Sequence, residues 1–283
     1  MANYIVEMDS GVHADASAAS SAITSAGASI TTTFSLSMTY LIDATADQLA
    51  AISGVKYSAD ADADSGVGLQ SLSTHHFRYL DNRFGISSDP ASNSDVLRYE
   101  FGDWEPKYSG NGKTIYLVDS GINASHTEFA NATITNLHSA YGSDYADSTG
   151  HGTSMAGLMV GRNIGVARQA TVKNVKLFNE ASGNVTLGNV INALDAVLAD
   201  HNSGNVADVK VMCAPWTTAQ NNLIDSKIGE LNSANIVVVA AAGNQNDNVA
   251  NYSPAGVDAI ITVGAHDNDR QIASFTNTPW DGG

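Results

Sequence analysis

Cysteine is almost missing from this 283-residue chain: Cys213 is the only one. A single thiol excludes an internal disulfide and a cysteine-based metal cluster. Cys213 falls in an apolar run, which assigns it to the core as a small hydrophobe. Basic residues are scarce as well. Lys+Arg 13 against Asp+Glu 29 gives a formal net charge of −16. Nucleic acid and anionic membrane are therefore excluded as partners, because both would repel the chain. The same acidity argues for a soluble, salt-tolerant surface. Charged residues make up only 15% of the chain, so Ser, Asn, Thr and Gly carry much of its polarity. No apolar stretch reaches the length of a bilayer span. The first residues, Met1 to Glu7, have neither the basic start nor the apolar segment of a signal peptide. The location stays unknown, with extracellular and particle-associated settings both open.

What is present centres on Gly150-His151-Gly152-Thr153-Ser154-Met155-Ala156-Gly157, which follows the turn-like run Tyr145 to Thr149. The two glycines let backbone approach the imidazole closely on both sides. The small residues behind it predict a helix packed tightly onto its support. Such a histidine is either a buried, satisfied core residue or a base presented at a cleft. Two further stretches bear on the choice. Thr114 to Asp119 is a β-branched, apolar run closed by Asp119-Ser120-Gly121, a buried strand with a carboxylate at its carboxyl end. Open α/β sheets place their sites at that edge. Ile236 to Asn244 is a second apolar strand, and it ends in Gly243-Asn244. An Asn side chain there can aim an N–H at a developing oxyanion.

Asp, then His, then an Asn donor in this order resembles the subtilase family of serine endopeptidases, and most closely its proteinase K-like branch. The likeness extends through Asp119 to Ile122, His126 to Phe129, His151 to Thr153, Gly165 to Ala167, Ala242 to Asn244, Asn251 to Ala255, Thr262 to Ala265 and Ser274-Phe275. The resemblance implies Asp119 as the residue that orients the imidazole, His151 as the base and Asn244 as the oxyanion donor. It implies a cleft lined by Pro215, Trp216, Thr217, Ala242 and Gly243, with a polypeptide substrate or the chain's own small domain as occupant. Taken singly, Asp119 can equally cap the next turn, and Asn244 can be a loop residue in a left-handed conformation.

The alternation of apolar patches orders the rest. Residues 3–9 form a short strand and Ala14 to Ala26 a modest helix ended by Gly27. Ser29 to Asp43 is long enough for two strands, with Phe34, Leu36, Met38, Tyr40 and Ile42 on one face. Thr45 caps a helix in which Gln48 completes a capping box, and Val55 to Tyr57 begins a last strand. This β-α-β-β-α-β order predicts a small ferredoxin-like domain over residues 1–58. Its position resembles the inhibitor-like propeptides of subtilases, whose last strand occupies the active-site cleft. Residues 59–110 read as an acidic linker and an irregular lead-in with Phe77, Tyr79, Phe84, Tyr99, Phe101 and Trp104. The adjacent His75 and His76 have no partner at metal-ligand spacing, so no metal site is assigned to them. Residues 111–283 alternate strand and helix: Val172 to Leu177, Leu187 to His201, Val209 to Cys213, a helix marked by Leu223, Ile224, Ile228 and Leu231, then Ile236 to Ala240 and Ile260 to Val263. That alternation predicts a doubly wound parallel α/β sheet, subtilisin-like and incomplete at its C-terminal side.

Two departures from the family pattern stand out. The segment that carries the nucleophilic serine lies well downstream of the Asn in the family, and the chain reaches Gly283 before any such segment. Ser154 does sit in a Gly-Thr-Ser-Met-Ala string, but directly after the histidine. It is assigned to packing, because the same expected helix carries both residues. The second departure is Pro215-Trp216-Thr217-Thr218, where the family has a Ser-Leu-Gly-Gly-like run; the threonine narrows a pocket and the proline removes a backbone donor. Met1, with the small domain still attached, implies an uncleaved propeptide. The resemblance leaves calcium open, since the Ser253-Pro254-Ala255 loop offers carbonyls while the expected carboxylate falls beyond the end. Two functions follow: a hydrolytically inactive homologue used for structure or binding in a large assembly such as a virion, or an active serine endopeptidase whose serine-bearing part is not in this chain.

Overall fold

The computed structural model describes residues 2–34, 38–61, 68–69, 108–179, 185–266 and 271–279. Leu36, the His75-His76 pair, the six lead-in aromatics and most of the acidic linker lie outside the described residues.

The small N-terminal unit is built from β1 (Ala2–Met8), α1 (Ala16–Ser25), β2 (Ser29–Thr33), β3 (Thr39–Ala44), α2 (Ala46–Ala51) and β4 (Val55–Asp60). Its antiparallel sheet runs β2-β3-β1-β4. That is the ferredoxin-like arrangement expected from the element order. Local chemistry sets the helix starts. Asp15 accepts from Ala18 N, and Thr45 and Gln48 form a reciprocal capping box, with Thr45 N donating to Gln48 Oε1 at 2.8 Å. Ser29 to Asp43 does split into two strands, and the split corrects the expected single face. Tyr40 and Ile42 bury against α1, whereas Phe34 joins the core of the larger unit. Strand β4 runs on through Asp60, and Ala61 N donates to Asn3 O.

The larger unit holds β6 (Thr114–Asp119), β7 (Thr133–Ser139), α3 (His151–Val160), β8 (Thr171–Lys176), α4 (Leu187–Ser203), β9 (Lys210–Ala214), α5 (Asn222–Ser233), β11 (Ile236–Ala241) and β13 (Ile261–Val263). The strands make one parallel sheet in the order β13-β11-β9-β6-β8-β7. Edge strand β7 had no counterpart in the sequence reading. Short β5 (Gly68–Leu69), β10 (Trp216–Ala219) and β12 (Tyr252–Ser253) form a separate antiparallel ribbon in the order β12-β10-β5.

The two faces of the parallel sheet are covered unequally. On one side Tyr116, Val118, Val175, Met212, Ile236 and Val238 pack under α4 and α5 in a single core cluster. On the other side α3 covers only the β6–β8 part, through Ala156 and Val160 against Leu117 and Val172. The same face of β9, β11 and β13 has no helix over it among the described residues. There Val211, Cys213, Val237 and Val239 are only half-buried, and Ile261 and Val263 are each 53% exposed. A parallel sheet ordinarily has both faces covered.

The small unit shares the closed side. Ile5, Phe34 and Ala61 belong to the α4–α5 core cluster. A polar cluster fastens the same seam. Glu7 accepts from Ser226 Oγ at 2.9 Å and Lys56 Nζ at 3.0 Å, and it pairs with the fully buried Lys227 at 3.4 Å. Lys227 also donates to Thr39 and to Glu230. Breaking a buried pair from one side leaves an uncompensated charge, at a cost of about 3–5 kcal/mol, whereas replacing both partners by apolar groups is often neutral. We therefore expect Lys227→Met to cost about 3 kcal/mol in urea unfolding. Glu7→Leu combined with it should lose less than Lys227→Met alone. A double variant as unstable as the sum of the two singles would contradict this account.

His201, in the last turn of α4, is fully buried. Burial, and then the charge of Lys210, holds its pKa below the ordinary 6.5. The folded pKa is the lower one, so the unfolded chain binds a proton first as the pH falls. The contribution is complete above the unfolded value and is lost as the pH drops through the folded one. His201→Leu should flatten the fall of stability from roughly pH 7 to 5, measured by chemical denaturation at each pH.

Candidate active site

The carboxyl edge of the parallel sheet gathers the residues singled out in the sequence. Asp119 is the last residue of β6 and has no solvent exposure. His151 is the first residue of α3, and its side chain is 11% exposed. The imidazole Nδ1 lies 2.9 Å from each oxygen of the Asp119 carboxylate. Ser120 N donates to Asp119 Oδ1 at 2.6 Å. Burial pushes the Asp119 pKa up, while the hydrogen bond and charge of His151 and the bonds from Ser120 pull the other way. When the carboxylate is ionised it can only accept, and Nδ1 then carries the proton. That tautomer leaves Nε2 as the basic nitrogen, the arrangement needed to remove a proton from a hydroxyl.

Glycines make this approach feasible. Gly121 turns the chain after Asp119 with φ 101°, and a Cβ there would stand 2.6 Å from Ala146 O. Gly152 lies against the Gly121 carbonyl oxygen so closely that any Cβ would overlap it, and that Cβ would also reach 3.1 Å from Asp119 Oδ1. The start of α3 is capped in an unusual way. Its N-cap, Gly150, has φ 83° and no side chain to offer. The first amides are satisfied from neighbouring segments instead. His151 N donates to Thr149 Oγ1 at 3.1 Å, Gly152 N to Ser120 Oγ at 3.0 Å, and Thr153 N to Asp147 Oδ2 at 2.8 Å. Burial raises the Asp147 pKa, but hydrogen bonds led by those of Thr153 outweigh it and hold the carboxyl below its ordinary range. The sequence reading treated Tyr145 to Thr149 as a plain turn. Asp, Ser and Thr ahead of a helix were an available signal for capping.

Asn244 follows β11, is half-buried and lines a cavity of about 630 Å³. Pro215, Ala242 and Gly243 line the same cavity, with Met155 and Leu158 of α3 and Cys213 of β9. Cys213 is therefore not sealed in a core as expected but half-buried at the cavity wall, and burial pushes its thiol up to about 12. Trp216 is fully buried in the α4–α5 core cluster and does not line the cavity, and Thr217 is buried too. Their backbone is taken up in strand pairing: β10 pairs antiparallel with β5 through Trp216↔Leu69 and Thr217↔Gly68, and with β12 through Thr218↔Ser253. Ser154 corrects another expectation. It is exposed rather than packed, and its hydroxyl donates back to Gly150 O at 2.8 Å. In the Ser253-Pro254-Ala255 loop, Ala255 O accepts from Thr262 Oγ1 at 2.7 Å. Among the described residues no group of three or more His, Cys, Asp or Glu could hold a metal ion.

Gly152→Ala tests the close approach directly. Alanine gains about 1 kcal/mol of helix propensity over glycine. Overlap with backbone costs typically about 1–3 kcal/mol and must displace α3 from β6. The expected outcome is a lower melting temperature than the parent; a higher one would mean that the two backbones are not in contact.

The subtilase family (peptidase S8) matches residues 110–280. Proteinase R of Parengyodontium album is 29% identical over 194 residues, which span 69% of this chain and 48% of that protein. A cuticle-degrading serine protease of Arthrobotrys oligospora is 31% identical over 210 residues, 72% of this chain and 49% of that protein. Alkaline protease 1 of Aspergillus clavatus is 34% identical over 171 residues, 60% of this chain and 41% of that protein. The chain thus spans about half or less of the length of these relatives. Among solved structures, a cold-adapted subtilisin-like serine proteinase superposes with a TM-score of 0.55 at 28% identity, covering 62% of each chain. On the strength of the family match over most of the larger unit, together with the parallel sheet that carries Asp119 and His151 at its carboxyl edge, this chain belongs to the subtilase family.

Proposed function

We propose that the chain carries the acid–base half of a serine endopeptidase, and that its nucleophile arrives on a segment packed against the open face of β9, β11 and β13. Asp119 orients the imidazole and stabilises the imidazolium. His151 takes the proton of the attacking serine hydroxyl and returns it to the leaving amine. Asn244 and neighbouring backbone amides hold the oxyanion of the tetrahedral intermediate. The observation that carries the reading is the cavity of about 630 Å³ bounded by Cys213, Val239 and Val263 of the uncovered face and by Met155 and Leu158 of α3, the helix that His151 begins. Apolar surface of that kind is stabilised by about 25 cal/mol for each Å² removed from water, so the face has a strong preference for an apolar cover.

The paired Asp119 and His151 favour this reading over a purely structural role in an assembly. Burying a carboxylate costs several kcal/mol unless it is paired and hydrogen-bonded. A scaffold gains nothing from that arrangement that an apolar pair would not supply. The β5–β10 pairing favours a polypeptide in the cleft. A segment of the chain itself, just past the small N-terminal unit, already occupies one edge of β10 by main-chain pairing, the mode by which extended peptides add to a strand.

The 283 residues alone should neither hydrolyse a peptide substrate nor take a serine-directed fluorophosphonate label. The protein from its natural source should be heavier than 29.4 kDa and should take the label. A natural protein of 29.4 kDa without labelling would establish the inactive, binding role instead. Labelling of the 283-residue chain that Ser154→Ala removes would make Ser154 the nucleophile.

A further inference from the structure

Around the start of α3 lies a hydrogen-bond network that the acid–base mechanism does not use and whose residues do not line the cavity. Its hub is the carboxylate of Asp147. Oδ1 accepts from Ser120 Oγ at 2.8 Å, Gly150 N at 2.9 Å and Thr149 N at 3.0 Å. Oδ2 accepts from Thr153 N at 2.8 Å and from Thr153 Oγ1 at 2.5 Å. The hydroxyls are committed by these bonds. Thr149 Oγ1 donates to Ser120 Oγ at 2.7 Å, and Ser120 Oγ donates to Asp147 Oδ1 and accepts from Gly152 N, within reach of Asp119 as well. Thr153 Oγ1, having donated to Asp147, accepts from Asn123 N at 2.9 Å.

The segments joined in this way are the two that must be held in register for the base to work. One is the turn after β6, Ser120 to Asn123, whose preceding residue is Asp119. The other is the first turn of α3, whose first residue is His151. Besides the imidazole–carboxylate contact, two bonds join them directly, Gly152 N to Ser120 Oγ and Asn123 N to Thr153 Oγ1, and both of those hydroxyls are in turn held by the Asp147 carboxylate. Asp147 supplies further links at Ser120 and Thr153, on either side of His151 along the chain contacts. An ordinary N-cap side chain would satisfy the amides of α3 alone. Here Gly150 provides none, and the carboxylate that replaces it reaches across to the strand segment as well.

We propose that Asp147 is a positioning residue for His151: it locks the start of α3 to the turn after β6 and so holds the imidazole against Asp119. This rests on the reading of His151 as the base, but it concerns the geometry of the pair alone and needs no nucleophile. Supporting groups of this kind act by preventing small misplacements of the reacting group.

The test uses the full 283-residue chain and the proton NMR signal of His151 Nδ1–H, assigned by its absence in His151→Ala. In the parent the signal should be downfield and slow to exchange, because Asp119 accepts that proton. In Asp147→Ala it should be lost to exchange with water, although the fold persists by circular dichroism. Asp147→Asn retains one acceptor oxygen and should give a weakened, broadened signal; it serves if the alanine variant does not fold. Thr186→Ala removes the N-cap of α4, on the face of the sheet opposite α3, where Thr186 Oγ1 accepts from Asn189 N. It should lower the melting temperature and leave the signal untouched, which separates positioning from general loss of stability. An unchanged His151 signal in folded Asp147→Ala or Asp147→Asn overturns the proposal, and so does the same loss of signal in Thr186→Ala. Failure of the natural protein to hydrolyse peptides would leave these signals as they are, so the two readings fail separately.

Discussion

The contact between a fully buried carboxylate and a histidine at the start of a helix is the constraint from which the rest of the site follows. Asp119 has no solvent to stabilise its charge, so every bond it accepts matters. Bringing His151 Nδ1 to 2.9 Å requires α3 to begin directly over the end of β6. That closeness forbids a side chain at Gly152 and forces Gly121 into a conformation that only glycine adopts without strain. It also excludes the usual capping solution, since a Ser or Asp at the N-cap would need extended backbone where Gly150 is left-handed. The cap is therefore built from Ser120, Asp147 and Thr149. A loop leading into the helix has to be rigid for this purpose, and it is. Lys176, fully buried, donates to Asp144 Oδ2 at 2.9 Å and to the Ala146 carbonyl, which fixes the segment just ahead of Asp147.

Much of this was legible in the sequence because it depends on local pattern. Continuous apolar runs bounded by polar turns identify β6, β8, β9 and β11, since strands buried on both faces leave no alternation. Asp119, His151 and Asn244 were readable because each ends or begins such an element. What escaped was set by tertiary contact. Strand β7 is an edge strand with Thr133, Asn136 and His138 among its residues, so its composition resembles a loop until β8 pairs with it. Trp216 was assigned to the cleft on the family resemblance, and register along a strand decides which face a side chain takes. Ser154 followed the small-residue pattern of its helix, yet position 154 falls on the solvent side of α3. The Asp147 network was hidden for a different reason. Its acceptors and donors come from residues 120–123 and 147–153, and only folding brings those stretches together.

The two sides of the parallel sheet divide the work of the molecule. The α4–α5 side is closed, continuous with the small N-terminal unit, and locked by a buried Lys227–Glu7 pair whose loss would be felt across both units. The α3 side carries the paired Asp119 and His151 and is only half covered. This asymmetry explains how a site can be held in register while part of its surroundings is open. Asp119 and His151 are anchored on β6 and α3, where the core cluster of Leu117, Phe129, Ala156, Val160 and Val172 is complete. Asn244 hangs at the end of β11, on the uncovered part, and its neighbourhood is held by backbone and amide contacts instead. Gln245 N donates to Asn277 Oδ1 at 2.9 Å, and Asn277 Nδ2 donates to Ala242 O at 2.9 Å.

On the proposed reading, the two halves of the acyl-transfer machinery are unequally prepared. The base is preorganised by a network that does not involve the cavity, so its geometry is independent of whatever fills that space. The oxyanion side borders the cavity and shares its walls with the uncovered strands. Catalysis needs both at once, because electrostatic stabilisation of the oxyanion is effective only in a dry, fixed site. A segment seated on β9, β11 and β13 would bring the nucleophile, exclude water from Asn244 and complete the second face of the sheet in a single packing event. Folding of that layer and assembly of the active site would then be one process, driven mainly by the apolar surface of the open face.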